Sequence, residues 1–120
     1  MKYIESSFYS GNEKSFSSSD GFKRVIVINE RIDGKNHLFD ILAKHLDFPS
    51  YFGKNWDAVA DLFCDFSWYD ERIIFIVFRL NIDSELLRIL KGISESACQI
   101  RNNAFYNRGF NVASVQFVFV

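Results

Sequence analysis

The chain has 120 residues, nearly half of them hydrophobic and fourteen of them Phe, which suits one globular domain with one core and excludes disorder. Fourteen basic and fifteen acidic residues leave a formal net charge of −1, so the surface as a whole lacks the basic excess of a nucleic-acid binder. Two cysteines, Cys64 and Cys98, form no CxxC and have no His spaced for zinc, so they are expected to be reduced thiols and no metal site is expected.

Met1 to Gly21 is the least patterned stretch. Tyr3, Ile4, Phe8 and Tyr9 are apolar, and Ser15 to Asp20 reads as a Ser-rich linker. Residues 1–22 are therefore expected to be an N-terminal extension, with one short strand at most. They lack the cationic start and apolar run of a signal peptide. The longest apolar run, Ile73 to Phe78, is far too short to span a bilayer, so a cytoplasmic protein with no membrane contact is expected.

Val25-Ile26-Val27-Ile28 is a run of β-branched residues that predicts a buried strand. Asp33-Gly34 turns the chain. Asn36 can cap a helix from His37 to Leu46, in which Leu38, Ile41, Leu42 and Leu46 keep helical spacing. His37 and His45 read as surface histidines on it. Pro49 ends the segment, because the residue before a proline resists the α conformation.

Gly53 to Asn55 leads into a second helix that reaches about Phe66, and Gly53 is expected to serve the backbone turn. Trp68 to Arg72 reads as a polar connection, followed by a second strand over Ile73 to Phe78. Asp83 or Ser84 caps a third helix, Glu85 to Lys91, which Gly92 is expected to break. Ser94 starts a fourth, to about Asn107, with Gly109 as its C-cap. Val115 to Val120 closes the chain as a third strand. This order predicts an α/β domain over residues 23–120, a three-stranded parallel sheet packed with about four helices.

The second helix carries the functional signal. At about 100° per residue, Trp56, Val59, Leu62, Phe63 and Phe66 form a core-facing stripe. Asp57, Asp61 and Asp65 recur every four residues on nearly the opposite side, among the small residues Ala58, Ala60 and Cys64. The helix dipole accounts for Asp57, near the N-terminus, but not for the other two. Like charges four apart cost about 0.2–0.5 kcal/mol per pair, which a folded domain tolerates. From Tyr51 to Glu71 there are five acids and one base, Lys54, so the near-neutral total hides a negative patch. A catalytic carboxylate pair would need a cleft, which the outer face of one helix does not make. No nucleophile motif, phosphate loop or metal set accompanies it, so neither an enzyme nor a cofactor is expected.

The run Phe48-Pro49-Ser50-Tyr51-Phe52-Gly53-Lys54-Asn55-Trp56-Asp57-Ala58-Val59-Ala60-Asp61 resembles the signature of the barstar family. The order of strands and helices from Arg24 to Val120 is similar too. The resemblance implies a barstar-like fold and an immunity or antitoxin protein that occludes a ribonuclease active site with the second helix and the loop before it. It implies contacts from Tyr51, Asn55, Asp57 and Asp61, with Cys64 one turn further on. The implied partner is a basic ribonuclease, bound 1:1 by a chain that is monomeric when free and does not itself bind nucleic acid. Two departures stand out. Ala60 lies where a well-known member presents a large aromatic contact, and the acid that member offers from its last helix falls here at Ala104. Asp65 is the residue placed to supply charge instead. The same acidic helix could also serve a non-ribonuclease toxin or another basic protein.

Overall fold

The computed structural model describes residues 15–101 and 112–120. These form β1 (Ser15–Ser19), β2 (Lys23–Arg31), α1 (Lys35–His45), α2 (Trp56–Asp65), β3 (Ile73–Asn81), α3 (Ser84–Arg101) and β4 (Ser114–Phe119). The strands lie in the order β1-β2-β3-β4. β2, β3 and β4 are parallel, and β1 runs antiparallel along the edge of β2.

The three runs of β-formers are the three parallel strands, as expected. Val25 to Ile28 is buried on both faces, at 0–5% exposure, which is why the run is continuous rather than alternating. Ile26, Ile28, Ile74, Ile76 and Phe78 face the helices, where Leu38, Phe39, Leu42, Val59, Phe63, Leu90 and Ala97 close the main core. Each buried Val, Leu, Ile or Phe among them contributes about 1.5–3 kcal/mol. Val25, Val27 and Val77 form a smaller cluster on the other face, with Phe75 packed against it.

The parallel three-stranded sheet with about four helices needs correcting: among the described residues there are four strands and three helices. The Ser-rich segment is strand rather than linker, paired with β2 from Ser15↔Ile28 to Ser19↔Arg24. The boundary expected at residues 22/23 runs between these two strands. Asp20-Gly21 makes the turn between them. The Asp20 carboxylate accepts from the Phe22 and Lys23 amides at 3.0 and 2.8 Å, which holds it below the ordinary carboxylate value, and Gly21 takes φ 89°. An Asp-Gly pair before a β-branched run is a hairpin signal. The apolar pattern of serines is too weak to show the strand itself.

The third and fourth expected helices are one. Asp83 caps it, its carboxylate accepting from the Glu85 and Leu86 amides at 3.0 and 3.3 Å, and the helix runs through Gly92 and Ser94. A glycine costs a helix about 1 kcal/mol, which the packing of Leu90, Ala97 and Arg101 offsets. A Cβ at Gly92 would meet nothing within 4 Å. Gly92→Ala should raise the unfolding free energy by about 0.5–1 kcal/mol, read as a shifted urea midpoint at constant m value. Asn107, Gly109 and Ala104 lie outside the described residues.

Asn36 does not cap α1. The helix starts one residue before it, with Gly34 at the cap position and no side-chain cap bond. Of the two histidines, His37 is at the surface and accepts from the Asp33 amide at 3.0 Å. His45 is half-buried instead, with Nε2 3.1 Å from Glu30 Oε2.

The connection from Trp68 to Arg72 is packed, contrary to its polar appearance. Tyr69 and Glu71 are buried. Arg24 lies over the Tyr69 ring at 4.5 Å and donates from Nε and Nη2 to both Glu71 oxygens, each at 3.0 Å. Ser19 donates to the same carboxylate from β1. Burial raises the pKa of Glu71, but the hydrogen bonds from Arg24 and Ser19 outweigh it and hold the carboxyl below its ordinary value. The unfolded chain therefore takes up this proton at higher pH than the folded one. Glu71 stabilises the fold above its unfolded pKa, and that contribution is lost as pH falls through the folded pKa. Glu71→Gln should lose less stability than the parent as pH falls from neutral through and below the ordinary carboxylate range, measured by urea unfolding at each pH. An unchanged acid limb would assign the acid sensitivity to other carboxylates.

Candidate functional site

The chain between α1 and α2 is built on two rings. Phe48 and Phe52 pack edge to face at 4.9 Å, and Phe52 also meets Phe39 of α1 at 6.1 Å. The Phe52 amide donates to the Pro49 carbonyl at 3.0 Å, closing a turn. The start of this loop is tied down by Trp68 Nε1, which donates to the Leu46 carbonyl at 3.0 Å, and by the Tyr69 hydroxyl, which donates to Asp47 at 2.8 Å. Burial, then the Asp47 hydrogen bond, push the Tyr69 phenol well above its ordinary pKa, so it stays a donor. Tyr51 sits between Pro49 and Phe52 and points outward, 73% exposed. Its neighbours are anchored, so the exposed ring is presented on a fixed loop.

The left-handed residue before α2 is Lys54, at φ 53°, and not Gly53. A Cβ at Gly53 would stand 3.2 Å from Asn55 Nδ2, so glycine there makes room for the cap. Asn55 is that cap: its Oδ1 accepts from the Ala58 amide at 2.8 Å, and its Nδ2 donates to the Gly53 carbonyl at 3.3 Å. Lys54, the one base of the patch, reaches back to Asp40 of α1, with Nζ 2.6 Å from Oδ1. It therefore does not lie along the row of acids.

On α2 the faces divide as the spacing predicts. Val59, Leu62 and Phe63 are buried, Trp56 packs edge to face on Phe39 at 5.0 Å, and Asp57 and Asp61 are exposed. Asp65 is only half-buried, at the last turn, so the row of three fades toward its C-terminal end. Glu71, the fifth acid of the patch, is removed from it by Arg24. Ala60 and Cys64 are half-buried and turn toward α3. Burial, with the charges of Asp61 and Asp65, raises the Cys64 thiol pKa against the pull of Arg101. A thiol kept protonated is a poor nucleophile. Both cysteines are free.

Arg101 at the end of α3 is the residue that pattern reading passed over. It is 1% exposed. Its Nη1 donates to the Cys64 carbonyl and, at 3.1 Å, to the Asp65 carbonyl; its Nη2 donates to the Val112 carbonyl at 2.7 Å. The last carbonyls of a helix have no partner within it, and a cation there also complements the helix dipole. Arg101 thus fastens the C-terminal end of the acidic helix to the segment entering β4. Nothing in its sequence neighbourhood marks it, because its acceptors are backbone atoms far along the chain.

Among the described residues no group of three or more His, Cys, Asp or Glu could hold a metal ion, and no helix is long and apolar enough to cross a membrane. Residues 23–103 match the family model described as "Barstar (barnase inhibitor)". That span contains the loop, the whole of α2 and Arg101. A search of curated proteins gives no match. The matched span exceeds half the chain, and the chain therefore belongs to the barstar family, a family of inhibitors rather than enzymes.

Proposed function

We propose that this member of the barstar family is a cytoplasmic immunity protein that inhibits a ribonuclease, 1:1, by laying the carboxylates of α2 into the enzyme's phosphate-binding site. The observation that carries this reading is the exposure of Asp57 and Asp61 on a helix capped by Asn55 and fixed in the core along its other face. A ribonuclease holds a phosphodiester with Arg, Lys and His and stabilises the charge that develops on it. Carboxylates can occupy those oxygen positions without being cleavable. A helix held on one side by Phe63 and Val59 loses little freedom on binding, which lowers the cost of association. Tyr51 adds an exposed ring beside the charges, and Asn55, Ala60, Cys64 and Asp65 complete the contact face.

The test is an inhibition titration of RNA cleavage against barnase and the small basic ribonucleases of the genome that encodes the chain. At least one should be inhibited stoichiometrically. The association rate should fall with added salt, because exposed charges are screened beyond about 8 Å at physiological ionic strength. Inhibition of none overturns the proposal. Capture of a basic protein without ribonuclease activity, dependent on Asp61, would instead favour a non-ribonuclease toxin.

A further inference from the structure

Beside the acidic row runs an open groove between α2 and α3, of about 470 Å³. This volume falls within the about 300–1,000 Å³ of ligand clefts. Ala60 and Cys64 form its α2 wall, and Ile89, Ile93, Ala97 and Ile100 line α3. Ile100 is 45% exposed, the one large apolar side chain of this helix that is exposed rather than partly or fully buried. The groove exists because its residues are small where the helices approach: Ala60 on one side, and Gly92 and Ser96 on the other. Two carboxylates stand beside its α2 wall, outside the lining itself. Round the helix, Asp57 lies about 20° and Asp61 about 60° from Cys64, both exposed. The one base lining the groove, Arg88, is paired with Glu85. An apolar trough with an uncompensated acidic lip complements an apolar group that has cations next to it.

We infer that this groove receives one apolar side chain of the basic partner, aromatic by preference, while Asp57 and Asp61 pair with Arg or Lys flanking it. This rests on the reading of α2 as the inhibitory face, and adds to it the determinant of which ribonuclease is recognised. Charged groups set encounter and register and count strongly where they are desolvated, and aromatic side chains buried in well-packed pockets are the other frequent hot spots of an interface. Discrimination follows from size: the groove accommodates an anchor because position 60 carries only a methyl group.

The probe is the peptide acetyl-Arg-Trp-Arg-amide, titrated into the isotope-labelled full chain and followed by amide chemical shifts. Shifts should concentrate at Ala60, Cys64, Ile93 and Ile100. Ala60→Phe, which fills the groove, should weaken the peptide at least tenfold. Ser96→Phe fills it from the opposite wall and should do the same, so the inference remains testable if one variant does not fold. Unchanged affinity in both folded variants, or shifts confined to Asp57 and Asp61, overturns it. The ribonuclease titration keeps the two ideas apart. Inhibition lost in Asp61→Ala but intact in both Phe variants removes the groove and leaves the inhibitory helix standing. No inhibition by the parent removes the ribonuclease as the groove's occupant.

Discussion

Asp61→Ala should weaken ribonuclease inhibition more than any other single substitution on the acidic helix. Asp61 is exposed, in the middle of α2, with core contacts behind it and no basic residue of its own helix to neutralise it. In a complex it would be desolvated against the cations that bind phosphate. Truncating one partner of a buried, hydrogen-bonded charge pair costs about 2–5 kcal/mol, a range the barnase–barstar complex itself helped to define. Asp65→Ala should cost much less. Asp65 is half-buried in the last turn, next to the carbonyls that Arg101 holds. Asp57→Ala should fall between them, and part of its effect will be on the helix, because a carboxylate in the first turn complements the dipole by about 0.3–1 kcal/mol. Inhibition constants for the three variants, with urea midpoints as a control, decide the order. Equal losses at Asp61 and Asp65 would sink the ranking.

Arg101→Met is the substitution expected to damage both the fold and the site. Met keeps most of the apolar stem and removes the donors. The carbonyls of Cys64, Asp65 and Val112 would then lose the partner that Arg101, itself 1% exposed, supplies, the Val112 carbonyl in a buried place and the other two in partly buried ones. Hydrogen bonds to a charged group contribute about 1.5–3 kcal/mol, and a buried acceptor left without one costs about 1–3 kcal/mol. With several acceptors affected, a loss of about 3–5 kcal/mol is expected, a large share of the about 5–15 kcal/mol that holds a domain together. Inhibition should fall as well, because the last turn of α2 is no longer fastened to α3 and β4. Stability is read from chemical unfolding, and affinity at a temperature where the variant is fully folded. Unchanged stability would mean that other donors or solvent replace the guanidinium.

The two predictions rest on residues that differ in how visible they are beforehand. Asp61 is legible from period alone: a helix repeats about every 3.6 residues, so the stripe Val59, Leu62, Phe63 implies an opposite face, and the acids fall on it. Tyr51 and Asn55 come from the motif between Phe48 and Asp61, and the structure adds that Asn55 is a cap and that Tyr51 is held out by anchored neighbours. The groove is not legible in the sequence. Ala60 stood out as small, but its consequence depends on Gly92, Ser96 and Ile100, which come from a helix expected to be broken at Gly92.

Three of the departures share one cause. Glycine in α3, serines in β1 and the charged Glu71 all violate local preference, and each is accommodated by a partner distant in sequence. Leu90 and Ala97 hold α3 on the core across Gly92. The ladder with β2 holds the serines. Arg24, 47 residues away, holds Glu71.

What the amino-acid sequence determined by itself is whatever repeats with the period of one element: the three parallel strands, the two faces of α2, and the motif that carries Tyr51, Asn55, Asp57 and Asp61. Tertiary structure alone decided what depends on pairing: the fourth strand, the unbroken α3, the withdrawal of Glu71 from the acidic patch, and the clamp of Arg101 on the end of α2. Periodicity is a property of neighbours along the chain, so it can be read there. The partner that satisfies a buried charge or a strand edge is chosen in space, and only the folded chain brings it near.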